Sequence, residues 1–121
     1  MRTIQNAFWL CMLSLFAVSC STVQSRYSLL GDSYPPRPVN HEVHVYYDVH
    51  PQRPFVRISR IDVHLEKTHF RGSSLEDAMP ELKKQARLSG ADAVIDIQEK
   101  HSKVLETSVY HVTATGIRYT D

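Results

Sequence analysis

Leu75-Glu76-Asp77-Ala78-Met79-Pro80-Glu81-Leu82-Lys83-Lys84-Gln85-Ala86-Arg87-Leu88-Ser89-Gly90-Ala91-Asp92-Ala93-Val94-Ile95-Asp96-Ile97 is the stretch in which the hydrophobic period changes. Leu75, Ala78, Met79, Leu82 and Ala86 recur at helical spacing, opposite Glu81, Lys84 and Arg87. Beyond Gly90 the period falls to two, with Ala93, Ile95 and Ile97 alternating against Val94, Asp96 and Gln98. Gly90 therefore marks the joint, and a left-handed conformation is expected there after the last helical turn. At the other end Ser73 and Glu76 have the spacing of a capping box. Pro80 leaves two alternatives: a kink, or a start at Asp77 that places the proline in the first turn.

On the N-terminal side of this stretch, Glu42-Val43-His44-Val45-Tyr46-Tyr47 reads as a strand with Val43, Val45 and Tyr47 on its apolar face. Asp48 to Pro54 makes a turn, and Phe55 to Glu66 a longer strand. In that strand Val56 and Ile58 have one parity and Ile61, Val63 and Leu65 the other, so a bulge near Ser59-Arg60 is expected to bring both sets to one face. Downstream, Ala91 to Glu99 reads as a central strand and His101 to Lys103 as a polar turn. Thr107 to Tyr119 follows as a last strand, whose Val112, Ala114 and Gly116 are small enough to lie beneath a helix. The predicted fold is α+β: one domain of order β-β-α-β-β, with one helix packed on a roughly four-stranded mixed sheet. Strands two and three run parallel if they share that sheet.

The N-terminal region has a different character. Met1 to Asn6 carries Arg2 and no acid, and the apolar run Ala7 to Val18 is too short to span a bilayer but suits the core of an export signal. Ala17-Val18-Ser19-Cys20 then resembles the lipobox of bacterial lipoproteins, with Ala17 where that family prefers Leu. The resemblance implies a signal peptide over 1–19 and, at Cys20, diacylglycerol on the thiol and an acyl chain on the new amino group. Ser21 in place of Asp implies the outer membrane, a lipid-anchored address in the cell envelope. Cleavage by an ordinary signal peptidase after Ala17-x-Ser19 is the alternative. It would leave Cys20 as one odd thiol in an oxidising compartment, since Cys11 departs with the signal.

Residues 20–40 are expected to form the lipidated cysteine and a tether, because Tyr34-Pro35-Pro36-Arg37-Pro38 forces extended backbone. At about 3.1 Å per residue such a spacer reaches up to about 60 Å. A docking peptide is the other reading of the prolines. The domain then occupies 41–121. With 14 Lys+Arg and 13 Asp+Glu overall, and Arg2 in the signal, the mature chain is balanced. It has no basic footprint for nucleic acid.

Gly90-Ala91-Asp92-Ala93-Val94, following Leu82-x3-Ala86-x-Leu88, resembles a turn found in small envelope lipoproteins of the RcsF-like and YbjQ-like type. That resemblance spans about residues 55 to 119 and implies the α+β fold, a sensor role for the first type and heavy-metal binding for the second. It also implies that Asp92 lies in a tight turn and bonds local backbone. Ser89 stands where a Leu usually precedes the glycine, and the cysteines that pin the RcsF-like domain are absent.

Histidine is the one suggestive excess: His41, His44, His50, His64, His69, His101 and His111. Imidazole is the commonest metal ligand among side chains. If strands one and two pair, His44 and His64 project from one surface with Asp62 or Glu66 in reach, a weak candidate metal site. The competing reading is half-exposed polar positions on an uncovered sheet face, and it is preferred. No nucleophile elbow, zinc-protease motif or phosphate-cradling loop is present, so no catalytic residues are assigned and an enzyme is not expected. No cofactor is expected beyond the lipid on Cys20. Tyr34, Tyr46, Tyr110, Tyr119 and Phe70 exceed what one helix covers, and divide between cross-strand packing and an interface. The expected function is a non-enzymatic binding or envelope-sensing module with a membrane anchor and a protein partner. A histidine-based metal-binding domain and a self-associating structural element are the alternatives.

Overall fold

The computed structural model describes residues 21–67 and 73–121. Cys20, the residues 1–19 expected to form a signal peptide, His69 and Phe70 lie outside the described residues. The strands are β1 (Ser21–Leu29), β2 (His44–Val45), β3 (Phe55–Lys67), β4 (Ala93–Val104) and β5 (Thr107–Tyr119), and the helix α1 is Leu75–Ser89. They form one mixed sheet of five strands in the order β1-β3-β5-β4-β2, antiparallel except for the parallel β4/β2 pair. The α+β class stands, while the expected four strands become five.

The added strand is β1. Residues expected to form a spacer pair with β3 along nine positions, from Ser21 opposite Lys67 to Leu29 opposite Ser59. The proline segment is not a free spacer either. Arg37 N–H donates to the Arg87 carbonyl at 2.7 Å, and its guanidinium meets Asp92 at 3.0 Å. Tyr34 packs on the core, under the Arg118 guanidinium. Polar composition misleads here because an edge strand buries little, and a strap fixed by backbone and ion pairs needs few apolar residues.

α1 begins one residue later than the Ser73 cap predicts. Ser74 is the N-cap, and its N–H donates to Asp77 Oδ2 at 2.8 Å, so the box is Ser74/Asp77 rather than Ser73/Glu76. That bond holds the Asp77 carboxyl below its ordinary range. Pro80 stays inside the helix, costing only the N–H that would meet the Glu76 carbonyl. Gly90 closes α1 at φ 86°, with its N–H on Arg87 and the Ala91 N–H on Ala86. A β-carbon there would lie 2.8 Å from both Pro35 O and Tyr34 Cβ, so the joint demands glycine for conformation and for space.

The helix lays Ala78, Leu82 and Ala86 on Ile61, Val63 and Leu65 of β3 and Val112 and Ala114 of β5, all essentially buried. Gly116 admits the buried Ser59 side chain, which hydrogen-bonds Ser89 Oγ at 2.9 Å. β3 and β4 run in the same direction, as the helical crossover requires, but β5 lies between them. The β3 bulge falls between Arg57 and Ser59, just before the expected site. It brings Ile58 into the core and leaves Val56 38% exposed, so only one of the two residues changes face.

β4 holds a second irregularity between Ile95 and Gln98, where Asp96 takes φ 53°. Val94 faces the helix while Ala93 and Ile95 join Ile117 in a small core on the opposite face, and the irregularity returns Ile97 to the helix side. Tyr46, Phe55 and Tyr119 pack against that second core. The first expected strand shrinks to His44–Val45, which pairs with β4 rather than with β3. Tyr47 does not share the inward face of Val43 and Val45; it is exposed. The polar stretch His101 to Lys103 is strand instead of turn, and Leu105–Glu106 makes the hairpin tip. No helix among the described residues is long and apolar enough to cross a membrane.

Candidate functional site

Strand alternation on β3 sends Ile61, Val63 and Leu65 to the helix, so Arg60, Asp62, His64 and Glu66 point to the uncovered face. Pairing then fixes their neighbours. One row across the sheet reads Gln24, His64, His111, Lys100, and the next Arg26, Asp62, Thr113, Gln98. The His64 and His111 rings stand 5.8 Å apart at 67°. His111 Nε2 lies 3.4 Å from Asp62 Oδ1, His64 Nε2 lies 2.8 Å from Glu66 Oε1, and Arg26 Nε is 4.0 Å from Asp62 Oδ2. Arg26, Asp62, His64 and His111, together with Gln24 and Ser25, line an open depression of about 280 Å³.

The structure thus brings together three of the four metal candidates, His64, Asp62 and Glu66, and separates the fourth. His44 sits on β2, at the opposite edge of the sheet, with its Nδ1 3.3 Å from the Tyr119 hydroxyl. A shared surface for His44 and His64 requires their strands to pair, and β5 and β4 stand between those strands. His111 takes that place; equal parity on adjacent antiparallel strands is the signal that finds it, once β5 is known to pair with β3. Among the described residues no group of three His, Cys, Asp or Glu side chains is arranged to hold a metal ion. The remaining described histidines are dispersed: His41 on Asp92 at 3.4 Å, His50 on Asp96 at 2.6 Å, and His101 against the Tyr110 ring.

Asp92 does not bond local backbone. Its Oδ2 accepts the Tyr119 N–H at 3.0 Å and its Oδ1 meets Arg37, so it ties the C-terminal strand and the proline strap to the helix joint. Of the aromatics weighed for an interface, Tyr110 is buried in the main core, and Tyr46 and Tyr119 share a 2.7 Å hydroxyl contact beside the second. Tyr34 packs beside the helix joint. Those four serve packing, Tyr110 and Tyr34 on the main core and Tyr46 and Tyr119 on the second.

Apolar side chains also face outward at two further places. Val23, Tyr27, Leu29 and Leu30 are exposed on and just beyond β1, and Val104 and Leu105 at the β4–β5 tip are exposed by 62% and 93%. Comparison with known protein families, with curated proteins and with solved structures finds no match for this chain.

Proposed function

We propose that this chain is an outer-membrane lipoprotein of the bacterial envelope, anchored through Cys20. In this reading its domain is a non-enzymatic binding module that takes an extended segment of a partner protein onto the free edge of β1. The lipobox-like Ala17-Val18-Ser19-Cys20 and Ser21 support the address. The observation that carries the binding reading is the edge itself.

β1 offers nine residues without proline and with a single charged side chain, Arg26. The opposite edge is blunted by the two-residue β2. The Leu30 N–H bonds inward to the Ile58 carbonyl at 3.0 Å, which sets the phase of the ladder. By alternation Thr22, Gln24, Arg26 and Ser28 also bond inward, while Val23, Ser25, Tyr27 and Leu29 turn their N–H and C=O groups outward. Soluble proteins usually guard such an edge with lysines, proline or a covering segment. An added strand would satisfy these groups and cover the exposed apolar side chains beside them.

Val23→Pro tests this directly. Its N–H faces outward, so the substitution removes an edge donor without breaking a bond within the sheet. With a photo-crosslinking side chain at Arg26 in cells, a specific partner adduct is expected for the otherwise native chain. The adduct should vanish with Val23→Pro while melting temperature and membrane fractionation persist. An adduct unaffected by Val23→Pro would overturn the edge reading. A dimer mass abolished by Val23→Pro would make the occupant a second copy.

Metal binding ranks second, on the juxtaposition of His64 and His111 near Asp62 and Glu66. Zinc that raises the melting temperature of the wild type, but not of His111→Ala, would move it ahead.

A further inference from the structure

We infer that the end of the sheet carrying Ser21 rests on the lipid surface, with the Val104-Leu105 hairpin tip inserted between headgroups as a second, non-covalent membrane contact. This rests on the reading of Cys20 as the lipid anchor. Ser21 pairs with Lys67, Lys67 with Ser108, and Ser108 with Lys103, so these four residues form one row across β1, β3, β5 and β4. Three strand spacings put Ser21 about 14 Å from Lys103.

The residue before Ser21 is Cys20, and β1 begins at Ser21 itself. No free linker therefore separates the anchor from the sheet. A domain held this way has its orientation set: the Ser21 row faces the bilayer and the strands rise from it.

Among the described residues, the turn that closes the β4–β5 hairpin projects beyond that row, where Val104 pairs with Thr107 and Leu105–Glu106 form the tip. Leu105 is 93% exposed and takes φ 56°. Two-residue hairpin turns favour Gly, Asn or Asp at positive φ, because a larger side chain is strained there. Leucine thus helps neither the turn nor the core, and the adjacent Val104 is also exposed. Both side chains gain by entering an apolar layer. Glu106 beside them stays at the headgroup level and keeps insertion shallow.

The test uses intrinsic fluorescence, since the single tryptophan, Trp9, lies within the signal. Lipidated full-length protein carrying Leu105→Trp is reconstituted into phosphatidylethanolamine/phosphatidylglycerol vesicles, with Tyr47→Trp as the comparison. Tyr47 is exposed and follows β2, which pairs with the beginning of β4 at the far end of the sheet. For Leu105→Trp, emission should move to the blue on vesicles and be quenched by bromine-carrying acyl chains. For Tyr47→Trp, emission should remain solvent-like.

Solvent-like emission from Leu105→Trp in protein that is vesicle-bound would overturn the inference and leave the anchor standing. The acyl mass separates the two failures: if the wild type carries no acyl mass at Cys20, the anchor reading falls and this inference with it.

Discussion

Among single residues, the pair Ser59 and Ser89 shows how a polar contact can be buried safely. Ser89 Oγ donates to the Ala86 carbonyl at 2.9 Å, so its oxygen is free to accept from Ser59 at 2.9 Å. The arrangement is directional, and the two alanine variants should differ. Ser89→Ala leaves the fully buried Ser59 hydroxyl without an acceptor, at a cost of about 1–3 kcal/mol. Ser59→Ala leaves Ser89 still bonded to Ala86 and should cost less than about 1 kcal/mol. Urea denaturation of both variants reads the difference, and equal losses would contradict the directional arrangement. Two phenols supply a second prediction of this kind. Burial raises the Tyr110 pKa well above its ordinary value, and its 2.6 Å bond to Glu99 adds to this. Tyr119 is raised by burial and by its hydroxyl contact with Tyr46. Both ionise more readily in the unfolded chain. Their contribution to stability is therefore complete below about pH 10 and lost as pH rises through the folded values. In a phenolate absorbance titration, two of the six tyrosines should ionise only together with unfolding. Tyr110→Phe should shift the alkaline midpoint upward relative to its stability at neutral pH.

Between elements, the joint of α1 and β4 carries several connections at one place. Gly90 turns the chain, its carbonyl accepts from Arg37 Nε at 3.3 Å and from Arg118 at 3.2 Å, and Tyr34 and Pro35 press on its α-carbon. Gly90→Val adds a β-branched side chain at positive φ and forces the strap away. It should cost about 2 kcal/mol or more in urea denaturation. The joint itself is legible in the residue pattern, because a helical stripe that ends at a glycine and resumes as a strand leaves few alternatives. Its second layer is not legible there: neither the strap's prolines nor Asp92 reveal their partners, which lie far away in the chain.

For the molecule as a whole, residues 21–40 are tied to the domain expected over 41–121. Ser25 Oγ donates to Glu81 at 2.5 Å and accepts from Gln85 Nε2 at 2.9 Å, so β1 is tied to the helix as well as to β3. A chain of residues 41–121 loses the β1 ladder, this polar link and the Arg37 contacts, and uncovers the edge of β3. Its melting temperature should fall by about 10 °C or more relative to residues 21–121. It should also self-associate through the bared strand, which light scattering would detect. Equal stability of the two chains would restore the tether reading of residues 21–40.

Neighbours in the chain are enough to specify the helical stripe from Leu75 to Ala86, the left-handed Gly90, the alternation of β3 and β5, and a bulge close to Ser59. These follow from local sterics and from the face each side chain must bury. Partnership is a different matter, and only the folded chain sets it. Ser21–Leu29 carries too little apolar pattern to announce a strand, because it is held by backbone bonds at an edge. His64 meets His111 and not His44, because β5 inserts beside β3. Pairing between strands is set by the lowest free energy of the whole sheet, and the residues that choose it are dozens of positions apart.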